Sequence, residues 1–212
     1  MFDINNYNKI LQEIEVFGKK TKIIAVSKNH PVETVEEALS HGVRIFGENR
    51  VQEAKTKFEN LKKTNPDIEL HLTGPLQTNK TKEAIKLFDI FHTLDREKLA
   101  KEFVKHGGLE NKKFFVQVNT GKEESKSGIY MEESKDFINY CKNDLRINVI
   151  GLMCIPPIND NPGEHFSLLQ KKVAELGLSE LSMGMSSDYI DAIKHNATYI
   201  RIGTRLFGNR EK

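Results

Sequence analysis

Two cationic side chains in this sequence stand where a cation could do chemistry. Lys28 closes TKIIAVSKNHP (residues 21–31), a short run of buried-type residues. Period-two alternation puts Ile24, Val26 and Lys28 on one face and Ile23, Ala25 and Ser27 on the other. The amine therefore extends a row of core side chains at a strand's C-terminal end. Two readings fit: a side chain that snorkels into water, or an amine held over the mouth of a sheet or barrel for Schiff-base chemistry. Arg201 lies in TYIRIGT (198–204), where alternation sets Tyr199, Arg201 and Gly203 against Thr198, Ile200 and Ile202. The isoleucines suit a layer beneath outer helices, which turns Arg201 inward. A charge there is costly unless paired. The position calls for Glu48 or another rim acid, or for a ligand atom that accepts from the guanidinium.

A third group lies beside the arginine. Ser186 ends one strand, Ser187-Asp188 opens a short helix, and Gly203-Thr204 ends the next strand. Glycine admits close backbone approach, and the hydroxyls add donors, so this is a cup that could hold phosphate. A plain helix cap beside a strand-ending glycine is the simpler reading of the same residues. Taken together, an imine-forming lysine, an inward arginine and a phosphate cup describe pyridoxal 5'-phosphate: aldehyde to Lys28, phosphate to the cup, ring nitrogen to Arg201. An unperturbed lysine titrates near about 10.4. Desolvation and the Arg201 charge are expected to lower that value and favour the nucleophilic amine.

These residues need a scaffold that gathers strand ends, and the chain alternates accordingly. Strands are expected at 21–28, 44–48, 69–73, 89–94, 114–119, 148–155, 181–185 and 198–204. Between them fall amphipathic patterns over about 31–41, 51–61, 80–88, 95–104, around 137–141, 166–176 and 187–195, with Asp95 expected to cap the fourth. A further helix over 7–17 precedes the first strand and stops at Gly18. Eight strands alternating with helices predict a (β/α)8 barrel of α/β class with an additional N-terminal helix. An open doubly wound sheet would carry a Gly-rich first turn, and no GxGxxG occurs. In such a barrel the chemistry lies at the C-terminal strand ends, where Lys28, Asn49, Ser186, Arg201, Gly203 and Thr204 all fall.

Composition bounds the function. The 212 residues suit one domain, 1–212, and 38% hydrophobic with 29% charged residues is ordinary for a folded globular chain. A net charge of +2 gives no electrostatic reason to expect nucleic acid or an anionic membrane as partner. Two cysteines, Cys141 and Cys154, form no disulfide framework or zinc pattern. With no signal-like apolar segment at the start, this predicts a cytoplasmic protein.

Six blocks in order resemble the pyridoxal phosphate homeostasis proteins of YggS/PROSC type: AVSKNHP (25–31), FGENRVQE (46–53), HLTGPLQTNK (71–80), VQVNTGKEESKSG (116–128), GLMCIPP (151–157), and LSMGMSSDYIDAI (181–193) with YIRIGTRLFG (199–208). The family is similar to the N-terminal barrel of alanine racemase. The resemblance implies that Lys28 carries the cofactor as an internal aldimine and that Ser186, Gly203 and Thr204 hold the phosphate. It places Arg201 at the pyridine nitrogen and Asn49 near the ring. His30 departs from the family's usual residue, and the stretch after GLMCIPP is short. The implied role is intracellular vitamin B6 homeostasis: buffering the reactive aldehyde or delivering it to apo-enzymes. A cation at the ring nitrogen makes a weak electron sink. Racemisation also needs a second acid or base, which alanine racemases take from a C-terminal domain; none follows Lys212, and neither Tyr130 nor Tyr189 sits in a motif that replaces it. The expectation is a monomeric binding protein without robust turnover. A low-efficiency amino-acid racemase is the alternative, and a Schiff-base aldolase a third.

Three further residues have plain readings. Lys126, after the fifth strand, is a solvated loop lysine or one that draws the incoming phosphate. His71 is expected as a hydrogen-bonded core histidine, and Cys154 as a small buried hydrophobe.

Overall fold

The computed structural model describes residues 1–208. Among them, eight parallel strands close into a barrel in chain order: β1 (Lys22–Val26), β2 (Ile45–Glu48), β3 (Glu69–Leu72), β4 (Ile90–Leu94), β5 (Lys113–Gln117), β6 (Val149–Met153), β7 (Glu180–Ser182) and β8 (Tyr199–Ile202). The ring closes where Lys22 to Ala25 of β1 run beside Tyr199 to Ile202 of β8. α1 (Ile4–Val16) precedes the barrel. The crossovers carry α2 (Val32–Ser40), α3 (Val51–Thr64), α4 (Thr81–Leu87), α5 (Glu97–His106), α6 (Ser134–Asn139), α7 (Pro162–Glu175) and α8 (Tyr189–Lys194), and α9 (Thr204–Phe207) follows β8.

Strands covered on both faces read as continuous apolar runs, and the two faces here do different work. Ile23, Ala25, Phe46, Leu70, Phe114, Val116, Ile200 and Ile202 point outward into the main core beneath the helices. Ile24, Val26, Ile90, Phe115, Met153 and Tyr199 fill the lumen. Gly47 also points inward: a Cβ there would stand 2.8 Å from Ile24 Cγ2, so the lumen at this level is already full. The expected facing of β1 and β8 is therefore observed.

Several local expectations need correction. Asp95 does not cap α5; Arg96 occupies that position without a capping side chain, and the Asp95 carboxylate is taken by Arg96 itself. β7 covers Glu180–Ser182 rather than 181–185: the Met183 N–H and the Gly184 carbonyl still bond to β8, but the positive φ at Gly184 breaks the extended run. α6 passes into a π-helical turn, Tyr140–Asp144. The four-residue α9 was not expected; it begins at Thr204, where the eighth strand was expected to end. It is fixed by Phe207 packing on Phe2 and by the Asp3 N–H donating to the Leu206 carbonyl, which ties the start of the described chain to its end.

Candidate functional site

The barrel's C-terminal mouth holds a cavity of about 350 Å³ lined by Lys28, Asn49, Ser186, Arg201, Gly203 and Thr204. All six residues singled out from the sequence thus meet in one place. Val26, Ile155 and Met185 add apolar wall, and Thr73 and Ser187 add hydroxyls. Of these five, Val26 shares the predicted row of Lys28 and Ser187 the predicted cup, whereas Thr73, Ile155 and Met185 were not anticipated. Thr73 could have been: it alternates with inward-facing His71 at the end of β3.

Lys28 lies two residues beyond the last residue of β1, in a turn where Asn29 has φ +62°. Asparagine tolerates that left-handed conformation better than most residues. The backbone on either side of the lysine is braced from behind. Lys57 of α3 donates to the Ser27 carbonyl at 2.7 Å, to Glu48 Oε1 at 2.8 Å and to Glu53 Oε1 at 2.7 Å. Ser27 Oγ donates to the same Glu48 oxygen, and Glu53 accepts the Asn29 N–H. Glu48 thus faces α3, not the lumen, and cannot be the partner of Arg201. Burial raises its carboxyl above the ordinary range despite the neighbouring ammonium.

Arg201 is inward as expected and only 5% exposed. Its Nη1 donates to Ser182 Oγ at 2.7 Å and its Nη2 to the Cys154 carbonyl at 2.9 Å. Among the described residues no carboxylate lies within ion-pair distance of it. Burial lowers the guanidinium from its ordinary value, yet an arginine remains charged in a protein. The Cys154 thiol beside it is pushed up to about 12 by the same burial, so it is an inert core residue as expected.

The cup is assembled from two loops. Arg205 Nε donates to the Ser186 carbonyl, and Asp188 accepts the Met185 N–H, which draws the 185–188 turn against α9. Gly203 precedes that helix, and Thr204 begins it. A Cβ at Gly203 would meet Val26 O at 3.4 Å, an ordinary contact. The protein itself therefore leaves room for alanine there, and the open space faces the cavity. Thr73 Oγ1 donates to Asn49 Oδ1 at 2.9 Å, which orients the Asn49 amide at the rim.

An amine, a guanidinium, hydroxyls and a glycine-flanked backbone suit a compact ligand with a carbonyl to capture and an anionic tail to hold. Among the described residues the wall carries no carboxylate, imidazole or phenol. Tyr189 instead gives its hydroxyl to Glu13 under α1, and Tyr199 is packed in the lumen. Lys126 is exposed and lines a second, adjoining cavity rather than this one.

A barrel with an amine and an anion cup at its mouth is the architecture of alanine racemase N-terminal domains, and the family so described matches residues 4–211. The chain belongs to the pyridoxal phosphate homeostasis proteins within it. It is 40% identical over 201 residues to the one from Aquifex aeolicus, covering 90% of this chain and 87% of the relative. It is 35% identical to that of Escherichia coli over 200 residues, covering 89% and 86%. The solved structure of PipY from Synechococcus elongatus with PLP bound superposes with a TM-score of 0.80 at 36% identity, covering 89% of this chain and 93% of that one. An alanine racemase from Clostridium difficile, at 16% identity and a TM-score of 0.74, shares the barrel and is spanned over 58% of its length.

Proposed function

We propose that the chain, acting as one unit over 1–212, binds pyridoxal 5'-phosphate at the barrel mouth and serves vitamin B6 homeostasis in the cytoplasm rather than catalysing turnover. The observation that carries this is the convergence of Lys28, Arg201, Ser186, Gly203, Thr204 and Asn49 on one cavity. Family membership supports it, as does the PLP bound in PipY. The donor set fits the group: the open space at Gly203 and the hydroxyls of Ser186 and Thr204 suit a phosphate. The bound cofactor supplies an aldehyde for the Lys28 amine. Arg201 would present a permanent cation to the ring nitrogen, and Asn49 would border the ring.

Weak turnover follows from what lines the wall. A cation at the ring nitrogen opposes protonation there and withholds carbanion stabilisation. Proton transfer on two faces would need a second acid or base, and the cavity wall contributes none. The protein then holds a reactive aldehyde in a reversible covalent link and releases it, as a monomer, to apo-enzymes that require it. The test is the absorbance of the purified protein with added cofactor. A yellow band should appear, become fixed by borohydride, and be lost in Lys28→Ala. A band that survives Lys28→Ala overturns the assignment. Conversion of L- to D-alanine well above that of free cofactor would favour the racemase.

A further inference from the structure

Among the described residues no anion lies adjacent to the buried Arg201 cation, and the lumen below it is occupied by an unbroken polar chain. Arg201 Nη1 donates to Ser182 Oγ at 2.7 Å. Ser182 Oγ lies 2.8 Å from His92 Nδ1, His92 Nε2 lies 2.8 Å from His71 Nδ1, and His71 Nε2 lies 2.9 Å from Glu69 Oε1. The Ser182–His92 bond joins β7 to β4, which are not neighbours in the sheet, so the chain crosses the lumen. It begins at the mouth and ends on Glu69, 29% exposed at the opposite, N-terminal end of the strands.

With both imidazoles neutral, as their burial favours, the two ends determine the direction of every bond. A guanidinium has donors and no acceptor; an ionised carboxylate has acceptors and no donor. Ser182 must then accept from Arg201 and donate to His92 Nδ1. His92 must donate from Nε2 to His71 Nδ1, and His71 from Nε2 to Glu69. Both imidazoles are neutral Nε2–H tautomers, in keeping with the burial that pushes both below the ordinary histidine range. Phe115 stacks on His92 at 4.5 Å, and Tyr199 covers both rings, so the middle of the chain is dry. In a dry lumen, bonds that polarise in one direction reinforce one another.

We propose that Ser182, His92 and His71 are positioning residues for Arg201, linking it to the Glu69 counter-charge and aiming the guanidinium at the cofactor's ring nitrogen. This rests on the cofactor reading above only in placing that nitrogen at Arg201. The chain makes the ring-nitrogen contact depend on a carboxylate at the other end of the barrel. The residues given by the sequence blocks as pocket-forming include none of these three.

Two measurements test it. Nitrogen-15 NMR of the cofactor-free protein at neutral pH should show His71 and His92 as neutral Nε2–H tautomers; an Nδ1–H tautomer or a cationic ring at either position overturns the chain. The second compares binding of pyridoxal phosphate with its 1-deaza analogue, in which a CH replaces the ring nitrogen. Ser182→Ala should weaken pyridoxal phosphate by about tenfold and Glu69→Gln by about threefold, with the analogue changed less than twofold in either. Glu69→Gln sits at the partly exposed barrel floor and keeps the test open should Ser182→Ala fail to fold. Equal losses for both ligands, or no loss, overturn the positioning role. A wild-type protein that binds neither ligand overturns the cofactor reading instead, while the tautomers still report on the chain.

Discussion

At the level of single residues, Gly203 separates what the protein needs from what a ligand needs. Its Cβ position meets Val26 O at an ordinary 3.4 Å, and its φ of −111° is open to any residue. Gly203→Ala should therefore change the unfolding free energy by less than about 1 kcal/mol. On the proposed placing of the phosphate it should nevertheless weaken pyridoxal phosphate retention by about tenfold, because the methyl would occupy the side from which the phosphate would approach the backbone. Calorimetric melting and equilibrium dialysis on the same preparation check both halves. Lys28 could be found from alternation alone, since it continues the row of Ile24 and Val26. The partner of Arg201 could not. The sequence reading offered Glu48 or another rim acid, or a ligand atom; Glu48 turns instead to α3, and within the protein the guanidinium meets Ser182 and a backbone carbonyl. Alternation tells which way a side chain points, not which strand stands opposite.

Among the elements, α3 does more than cover β2. It sends Lys57 into a buried space where the ammonium holds Glu48, Glu53 and the Ser27 carbonyl. Removing one member of a buried pair leaves a charge without compensation and costs about 3–5 kcal/mol. Lys57→Met should thus lower stability by about that much in urea unfolding, and Glu48→Gln added to it should restore more than half. Because Ser27 and Asn29 flank Lys28, the single variant should also slow the lysine's reaction with cofactor. The β-α alternation that locates these elements was legible in residue types. The α3 ammonium was not: Lys57 sits in a helix rich in exposed lysines, and sequence alone does not mark which one faces the barrel. Asp95 failed as a cap for a similar reason, since its neighbour Arg96 competes for the carboxylate.

For the molecule as a whole, the two lumen histidines add a loss of stability in acid. Burial lowers both in the folded state, so between their folded values and the ordinary value of about 6.5 the unfolded chain binds protons that the native protein does not. Stability therefore rises with pH through that window. It should be nearly flat above about pH 7 and fall as the pH drops below about 6.5. His92→Phe, which keeps an aromatic ring beside Phe115, should flatten the fall even if it lowers stability at neutral pH. Melting temperatures across pH 5–8 decide it, and an unchanged slope in the variant would refute the account.

The order of strands and helices and the facing of Lys28 and Arg201 could be read from the sequence itself, because each follows from a period or a residue type within one segment. Closure of the ring followed from the count of eight strands, but every contact across the lumen was left to the tertiary structure. His92 and Ser182 stand 90 positions apart and on strands that are not neighbours in the sheet. They meet only because eight strands curve far enough to face one another, a distance relation that no local pattern of apolar and polar residues contains.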